Sequence, residues 1–485
     1  MKNIRGGYLI ASSLFLVALI YAAVHFGGIW GCGGSGSKSC NRFTQTGCDS
    51  GLVCELTQGD KTDCFKPVVV QGNVSNSADG SVVAGARVIA LDINGSPVSN
   101  VATTDSSGNY ELTVFVTRAS DGIPATEDFT LRADAAGFMT FPSGLQQPIP
   151  VNTSIATAED NKFVITSSLT NLRLIPVETG TGTASIHGKV ELPENSLGAL
   201  VVAESSSTTG FNAIADRSGD YKIFNLSAGD YTVRGYVKDA NYTPVNITLT
   251  GSPDAEVNLS LNSDPTATFN GSVQIVNPTG GSVTSVILVV ESTFNENIIR
   301  GAMPPGLRAP PPPDLPNITG SFTITGIPAG SYVALAAFEN DGLVRDPDTC
   351  IGGTLIFKPS FVAGETVDMS QGFKITGALA VISPGADLPE GISTTTRTFK
   401  WEDDSSEDNY DIVVFDSFGN KIWETSIPGV SSGTPEVTYA GPALETGLYY
   451  QFRATSTKAS GRPCAVSGKE ELSQTEDLKG VFYVQ

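Results

Sequence analysis

Seven cysteines are the residues of this chain whose type and spacing could most directly support chemistry. Cys40, Cys48, Cys54 and Cys64 fall within 25 residues of low apolar content, a segment that could hardly fold without cross-links. Their spacing, C-x7-C-x5-C-x9-C, lacks the close cysteine pairs of zinc sites, and neither of the two histidines is near them. We therefore predict disulfide bonds rather than a metal site, and the pairing stays open.

Cys32 follows a segment of a different kind. Lys2 and Arg5 precede an apolar stretch from about Gly6 to Trp30, which is the layout of an export signal. The stretch is also long enough for a transmembrane helix. The protein is therefore expected to be exported, and both a cleaved signal and a retained anchor remain open.

The residues Ile29-Trp30-Gly31-Cys32 resemble the bacterial lipobox, in which a cysteine is lipidated and becomes the new N-terminus after signal cleavage. Trp30 departs from the small residue that this motif usually has. The resemblance implies a lipoprotein signal peptide over residues 1–31 and a lipid on Cys32, with the GGSGS that follows as a flexible tether. It also implies an exported protein that a lipid anchors to a membrane, at the bacterial outer membrane or cell surface.

The other cysteines then form an even set. Assigning Cys32 to a lipid leaves six, which suits three disulfides in an oxidising compartment, and the tether and cysteine-rich module occupy residues 32–66. Cys350 and Cys464 have no other partner once the four N-terminal cysteines have paired. We predict a third disulfide between them, and two unrelated buried cysteines are the alternative.

The chain is strongly acidic, with 29 basic residues, 50 acidic residues and a formal net charge of −21. Nucleic-acid binding depends on Lys and Arg releasing counterions from phosphate, and anionic membrane surfaces also attract basic groups. The charge therefore argues against a nucleic-acid partner, and any membrane contact must come from apolar groups. Beyond residue 40 no window is apolar over the roughly 20 residues that a membrane span needs.

Alternation of polar and apolar residues recurs along the chain, in ARVIAL (86–91), YELTVFV (110–116), YTVRGYV (231–237) and YDIVVF (410–415). This pattern predicts strands with one buried face, and the 52 glycines suit tight turns between short strands. Helical periodicity is hard to find. We predict an all-β protein, with tandem β-sandwich domains after an N-terminal signal or anchor and a small disulfide-rich module.

A weak repeat divides the body of the chain. Each copy opens on a related strand sequence: VVVQGNV (68–74), ASIHGKV (184–190) and TFNGSV (268–273). In the first two copies an Asp-x-x-Gly turn follows at Asp105 and Asp216, where the carboxylate can accept backbone N–H bonds and the glycine supplies a positive φ. An aromatic residue then begins the next strand and is expected to point into a core, at Tyr110, Tyr221 and Phe322.

This repeat resembles the carboxypeptidase regulatory-like domain, a transthyretin-like sandwich with a carbohydrate-binding-like fold. The resemblance covers roughly residues 67–376 and is closest in the second copy. It implies sandwiches over residues 67–177, 181–262 and 266–376, the last with a proline-rich insertion. It also implies a binding or spacer role and does not imply catalysis.

The last stretch, residues 378–485, has a different pattern. Its segment LETGLYYQFRA (444–454) resembles the fibronectin type III signature, which implies a fourth sandwich with Tyr450 as its corner tyrosine. Thr446 and Leu448 stand where that family prefers Pro and Thr.

Histidine is too scarce for the common catalytic centres. His25 lies in the export segment, which leaves His187 alone in a strand of the second repeat. A zinc carboxypeptidase needs a His-Glu-His ligand set, and no G-x-S-x-G nucleophile elbow is present. We expect His187 to face solvent. Paired carboxylates can hydrolyse sugars without histidine, so an unrecognised hydrolase stays as the third hypothesis.

Two segments could bind a ligand. Residues 402–408 carry five acids in seven positions and could hold Ca²⁺, but they lack the ligand spacing and central glycine of an EF-hand. A solvated loop is the preferred interpretation there. The segment GAMPPGLRAPPPPDLP (301–316) could be a stiff polyproline ligand arm, and we expect a rigid exposed loop.

Together these observations predict a non-catalytic cell-surface lipoprotein that binds a glycan or protein ligand or serves as a scaffold, without metal or cofactor. The alternative is an accessory subunit of a secreted glycan- or peptide-degrading system, in which the sandwiches position a partner enzyme.

Overall fold

The computed structural model describes residues 40–92, 95–142, 144–178, 182–205, 210–251, 253–276, 284–296, 300–311, 317–338, 357–393, 397–404, 406–460, 468–476 and 478–485. Within these ranges the regular structure consists of 37 strands and three single 3₁₀ turns, so the all-β prediction is confirmed. No helix in this part of the chain is long and apolar enough to cross a membrane. The predicted signal peptide and Cys32, Cys350 and Cys464 lie outside the described residues.

The cysteine-rich module is a short hairpin held by two disulfides. Its strands are β1 (Val53–Leu56) and β2 (Thr62–Phe65). The strands pair antiparallel, with Cys54 opposite Cys64. Cys40 is bonded to Cys54 and Cys48 to Cys64, so the predicted disulfides are present and the structure decides their pairing.

The first sandwich follows directly. Its strands are β3 (Val68–Asn76), β4 (Arg87–Asp92), β5 (Ala102–Thr103), β6 (Asn109–Val114), β7 (Asp128–Asp134), β8 (Val151–Asn152), β9 (Thr157–Ala158), β10 (Phe163–Ile165) and β11 (Leu172–Leu174), with 3₁₀ turns at Thr153–Ile155 and Ser168–Thr170. One sheet has the order β11-β3-β10-β9 with β6 also paired to β3, and the other has the order β5-β4-β7-β8.

The second sandwich repeats this plan with shorter connections. Its strands are β12 (Ala184–Lys189), β13 (Ala199–Glu204), β14 (Phe211–Ala215), β15 (Asp220–Leu226), β16 (Gly229–Tyr236), β17 (Asn241–Tyr242), β18 (Val245–Leu249), β19 (Asp254–Glu256) and β20 (Leu261–Asn262). The sheets have the orders β15-β12-β19 and β14-β13-β16-β18, and β17 pairs with β20.

The third sandwich has the same two-sheet plan. Its strands are β21 (Ala267–Val276), β22 (Thr284–Val290), β23 (Arg308–Ala309), β24 (Ser321–Ile327), β25 (Gly330–Phe338), β26 (Ser360–Phe361), β27 (Thr366–Asp368) and β28 (Phe373–Thr376), with a 3₁₀ turn at Glu291–Thr293. The sheets have the orders β24-β21-β27, with β28 also on β21, and β23-β22-β25-β26.

The fourth sandwich is built differently. Its strands are β29 (Val381–Ser383), β30 (Glu390–Ile392), β31 (Thr398–Trp401), β32 (Asn409–Asp416), β33 (Lys421–Pro428), β34 (Glu436–Thr438), β35 (Tyr449–Ala459), β36 (Lys469–Gln474) and β37 (Val481–Val484). A sheet of order β29-β31-β34 faces a larger one of order β30-β37-β35-β32-β33, in which β36 also pairs with β35.

The opening strand of each of the first three sandwiches has the same neighbours. β3, β12 and β21 each pair antiparallel with the strand that follows the turn, which is β6, β15 and β24 respectively. On its other side each opening strand pairs parallel with later strands. The repeat in the sequence is therefore a repeat of strand topology.

The predicted alternation of burial is present in the strands. In Asn109–Val114, for example, Tyr110, Leu112 and Val114 are buried, while Asn109 and Glu111 are exposed. The cores also extend across sandwich boundaries, because Val481 of the fourth sandwich packs in the core of the first. Tyr236 of the second sandwich likewise packs in the core of the third.

The proline-rich insertion is not the exposed loop that its composition predicts. In its described part, residues 301–311, Met303, Leu307 and Ala309 are buried, and β23 pairs with β22. Met303 packs on the outward side of β22 and β25, which leaves all seven residues of β22 buried. The prediction was wrong because the apolar residues between the prolines cover a sheet face that would otherwise be exposed.

Candidate functional site

The cysteine-rich module offers disulfides rather than metal ligands. The sulfur atoms of Cys40, Cys48 and Cys54 lie within 4.8 Å of one another. Each of these sulfurs is engaged in a disulfide bond. Metal coordination requires a thiolate, so the closeness of the sulfurs reflects two adjacent disulfides.

A buried ion pair joins the module to the first sandwich. Glu55 and Arg118 are 2% and 0% exposed, and Arg118 Nε donates to Glu55 Oε2. Arg118 Nη2 also donates to the carbonyl of Lys66 at 2.7 Å, and Val116 N donates to Glu55 Oε1 at 3.0 Å. Burial raises the pKa of Glu55 to about 7, against the opposing effect of the Arg118 guanidinium. The pair therefore positions the module and gives it a titratable contact.

The core-facing sides of the first three sandwiches share a close cross-strand pairing of a glycine with an aromatic residue. Each opening strand has a glycine opposite an aromatic residue on the neighbouring strand: Gly72 with Tyr110, Gly188 with Tyr221 and Gly271 with Phe322. In the first two sandwiches the tyrosine hydroxyl donates to a carbonyl on the far side of the opening strand, that of Thr170 at 2.7 Å and that of Val257 at 2.6 Å. Glycine leaves room for this contact.

The residue before each glycine points outward and carries a polar side chain. In the first sandwich, Gln71 Nε2 donates to Glu111 Oε2 at 2.7 Å. In the third sandwich, Asn270 Nδ2 donates to Asp368 Oδ1 at 2.9 Å and Asn270 Oδ1 accepts from Thr323 Oγ1 at 2.8 Å. The three repeats therefore display different polar groups at one structural position.

In the second sandwich this position is His187, which the sequence predicts to face solvent. Its side chain is 40% exposed, and Nδ1 lies 2.9 Å from Asp254 Oδ1. Ser185 Oγ donates to the same oxygen at 2.6 Å and Lys222 Nζ to Asp254 Oδ2 at 2.9 Å. Burial acts to raise the pKa of Asp254, but these three hydrogen bonds outweigh it and lower the pKa to about 2.

This cluster has the residue types of a serine hydrolase without its geometry. Ser185 and His187 both bond to the carboxylate of Asp254, whereas a nucleophilic serine must bond to the histidine. The arrangement is an exposed, charge-compensated patch.

On the first sandwich the same outward face forms a groove of about 530 Å³. Its floor is made by β3, β6 and the segment that follows β10, and its lining includes Gln71, Asn109, Glu111 and Asn171. Asp105 lies at one end of the groove, where its Oδ1 accepts from the backbone N of Ser107 and Asn109 in the predicted turn. Polar side chains from three segments of the chain therefore meet at one surface.

The acidic segment 402–408 uses its carboxylates to hold its own loop. Asp403 Oδ1 accepts from Tyr410 Oη at 2.8 Å, and Asp404 Oδ2 accepts from Ser456 Oγ at 2.5 Å. Asp408 Oδ2 accepts from the backbone N of Ala459 at 2.8 Å. These bonds tie the loop to the long sheet of the fourth sandwich.

The fourth sandwich has an aromatic corner at the predicted place. Tyr450 Oη accepts from the backbone N of Glu445 at 2.8 Å, five residues upstream. Trp401 and Tyr410 are fully buried and their rings meet edge to face at 5.3 Å. The corner hydrogen bond fixes the chain where it enters β35.

Sequence reasoning singled out cysteines, His187 and the acidic segment, and it missed the groove. Some of its residues lie inside the repeat motifs, with Gln71 beside the glycine that recurs in all three opening strands and Asn109 and Glu111 on either side of Tyr110. The usable signal was that these positions alternate with buried ones and so must face outward. Only the pairing of β3 with β6 shows that they are neighbours.

Comparison with known proteins gives no family for this chain. No family model matches it, and neither does any curated protein. The chain is similar to a structure of two B repeat units of the collagen binding protein of Staphylococcus aureus, at 10% identity and a TM-score of 0.17, over 86% of this chain and 98% of that one.

Two further structures match this chain with similarly low identities and TM-scores. A DUF3823 family protein from Bacteroides ovatus ATCC 8483 is 14% identical with a TM-score of 0.19, over 45% of this chain and 100% of that one. The shaft pilin spaA from Lactobacillus rhamnosus GG is 9% identical with a TM-score of 0.18, over 41% of this chain and 98% of that one. These low identities and TM-scores assign no function to this chain.

Proposed function

We propose that this protein is a non-catalytic cell-surface lipoprotein whose sandwiches form a rigid scaffold for binding a glycan or a protein. The observation that carries the proposal is that the sandwiches are joined by specific hydrogen bonds between side chains and backbone. Sandwiches that served only as spacers would need no such contacts, because domains linked by exposed chain move independently.

The first and second sandwiches are joined by a buried arginine. Arg132 Nη1 and Nη2 donate to the side-chain and backbone oxygens of Asn212, at 2.9 and 3.0 Å. Asp216 of the second repeat accepts from the backbone N of Val101 at 2.6 Å. The Asp-x-x-Gly turn of the second copy thus also serves as an interdomain contact.

The third and fourth sandwiches are joined across their connection. Thr376 Oγ1, at the end of β28, donates to the carbonyl of Leu472 on β36. The first and fourth sandwiches meet through Gln146 Nε2, which donates to the carbonyl of Phe418 at 3.0 Å. The described residues from Cys40 onward accordingly form one compact unit.

The domain resemblances of the sequence are retained in this proposal. The repeated strand topology supports carboxypeptidase regulatory-like sandwiches, and the hydrogen bond between Tyr450 and Glu445 supports a fibronectin type III-like fourth domain. The network around Asp254 supports a non-catalytic role, because Ser185 and His187 both form hydrogen bonds with its carboxylate and not with each other.

The lipid anchor is tested by replacing its attachment residue. Cys32→Ser should release the protein from the membrane fraction, since acylation needs the thiol, and mass spectrometry of the mature N-terminus should find an acylated Cys32 in the unaltered protein. Cys40→Ser, which breaks the Cys40–Cys54 disulfide but keeps Cys32, should stay with the membrane. An intact Met1 or an unmodified Cys32 contradicts the lipoprotein proposal.

The scaffold role is tested by affinity capture of the anchored protein on intact cells. A surface glycan or non-enzymatic protein as the main partner supports the proposal. Capture of a glycan- or peptide-degrading enzyme in fixed stoichiometry favours the accessory-subunit alternative instead. Substrate turnover by the purified chain contradicts the non-catalytic role.

A further inference from the structure

We propose that the groove on the outward face of the first sandwich binds a neutral, hydroxyl-rich ligand, namely a segment of an uncharged saccharide. The inference rests on the proposed function as a binding scaffold and assigns its ligand class and its site. Some polar atoms of the groove are engaged within the protein, and the others remain for a ligand.

The donors of the groove are two amide groups held in fixed positions. Asn73 Nδ2 donates to Asn109 Oδ1 at 3.1 Å, and the backbone N of Asn73 donates to Asn171 Oδ1 at 3.1 Å. Each bond uses the oxygen of the exposed side chain. The Nδ2 groups of Asn109 and Asn171 have no hydrogen-bond partner among the described residues, so they are available as donors.

The acceptors of the groove are carboxylate oxygens. Glu111 Oε2 accepts from Gln71 Nε2, and Lys162 Nζ lies 3.5 Å from that same oxygen. Asp105 Oδ1 accepts two backbone N–H groups of its turn. Within the described part of the chain Glu111 Oε1 and Asp105 Oδ2 have no such partner, and they remain available as acceptors.

Available donors and acceptors on one face match a ligand whose groups both donate and accept. A hydroxyl does both, and neighbouring hydroxyls of a sugar ring can bond to an amide and a carboxylate together. The groove is also open, because the side chains of Asn109 and Glu111 on β6 and of Asn171 before β11 are exposed. An open surface of this kind suits a segment of an extended chain.

Charge excludes an anionic ligand from this groove. Asp105 and Glu111 line it, and the nearby Lys162 already faces Glu111. The chain as a whole carries a net charge of −21, which adds repulsion. An ammonium ligand would match the carboxylates but would leave the Asn109 and Asn171 donors without acceptors, since it offers donors only.

The other repeats show what the same face looks like when it is not available. In the second sandwich Lys222 and His187 take both oxygens of Asp254. In the third sandwich both ends of the Asn270 side chain are engaged, by Asp368 and Thr323. The corresponding faces of the second and third sandwiches, which have the same strand arrangement, therefore serve as internal controls.

The test compares matched double variants of the full-length chain. Asn109→Ala with Glu111→Ala removes a donor and an acceptor from exposed positions of β6. Ser321→Ala with Thr323→Ala changes the equivalent exposed positions of β24 in the third sandwich. Circular dichroism and thermal unfolding should show both variants to be folded, since none of the four side chains is buried.

Binding is measured by calorimetry and ligand-observed NMR with neutral hexasaccharides of glucose, mannose, xylose and N-acetylglucosamine, in α and β linkages. We expect at least one hexasaccharide to bind, the groove variant to weaken it at least tenfold and the β24 variant to leave it unchanged. Addition of EDTA should have no effect, because the site uses no cation. A uronic acid hexasaccharide should not bind.

Three outcomes overturn the proposal: no neutral hexasaccharide binds, the groove variant retains full affinity, or a tetralysine peptide binds in the groove while the sugars do not. None of these depends on the lipid anchor. If the groove binds no sugar but Cys32 is acylated and a surface partner is captured, the scaffold role is still supported. If the groove binds sugar but Cys32 carries no lipid, only the lipid anchor is contradicted.

Discussion

Tyr110 reaches across Gly72 to the 3₁₀ turn Ser168–Thr170, and its hydroxyl donates to the carbonyl of Thr170 at 2.7 Å. A Cβ at Gly72 would lie 1.9 Å from that carbonyl oxygen and 2.8 Å from the Tyr110 ring. The glycine and the tyrosine are therefore one feature, in which the absence of a side chain allows three segments to approach closely.

This relationship predicts that Gly72→Ala destabilises the first sandwich by about 2 kcal/mol or more, because the new methyl group collides with backbone that cannot move without breaking the sheet. Urea denaturation measures the change. Gly320→Ala is the matched control, since a Cβ there has nothing within 4 Å. Equal stability of the two variants would contradict the close-approach explanation.

The hydroxyl of the tyrosine at this repeated position should contribute less to the free energy of unfolding than its aromatic ring does. Tyr221→Phe removes the hydrogen bond to Val257 and leaves a buried carbonyl unpaired, so we expect a loss of about 1–2 kcal/mol in the free energy of unfolding. Phe322 already occupies the equivalent place in the third sandwich, which shows that the ring fits without the hydroxyl. Phe322→Tyr serves as the converse variant. A Tyr221→Phe protein as stable as the parent would show that water replaces the bond.

The contact between the module and the first sandwich should depend on pH through Glu55. Burial raises its pKa to about 7, so the folded state holds the proton more tightly than the unfolded state does. Protonated Glu55 therefore stabilises the folded state fully below its ordinary pKa of 4.5, and this stabilisation is lost as the pH rises to about 7. The hydrogen-exchange protection factors of residues 53–65, which correct for the intrinsic rise of exchange with pH, should therefore fall over this range.

Glu55→Gln should flatten that pH dependence, because the amide does not titrate but can still accept from Arg118. The flattening will be partial, since burial also raises the pKa of Glu127, which acts in the same direction. Lys61→Gln, at an exposed position of the same module, is the control. An unchanged pH profile in Glu55→Gln would exclude Glu55 as the titrating group.

The third disulfide remains a prediction, because Cys350 and Cys464 lie outside the described residues. The third and fourth sandwiches that carry them are already in contact through Thr376 and Leu472. A loop of about 100 residues closed by a disulfide gives roughly 4–5 kcal/mol in the chain-entropy model. Non-reducing peptide mapping should recover the Cys350–Cys464 peptide. Alkylation of both thiols in the native, unreduced protein would refute it.

The sequence determined the strands and turns of this protein because these depend on local chemistry. The alternation in NYELTV predicts the buried and exposed sides of β6, and Asp-x-x-Gly predicts the turns in which Gly108 and Gly219 have φ near +76° and +77°. A turn needs only a carboxylate and a residue without a Cβ at the right spacing. The repeat of these local signals also predicts the repeat of topology.

The tertiary structure alone decided which distant residues meet. The pairing Cys40–Cys54 and Cys48–Cys64, the burial of Met303 in the proline-rich insertion and the groove between β3 and β6 each join segments that have no local relation. An exposed loop and a buried one can have the same composition, and what separates them is whether a neighbouring sheet offers an uncovered apolar face. That face depends on how strands far apart in the chain pack, which no single stretch of residues encodes.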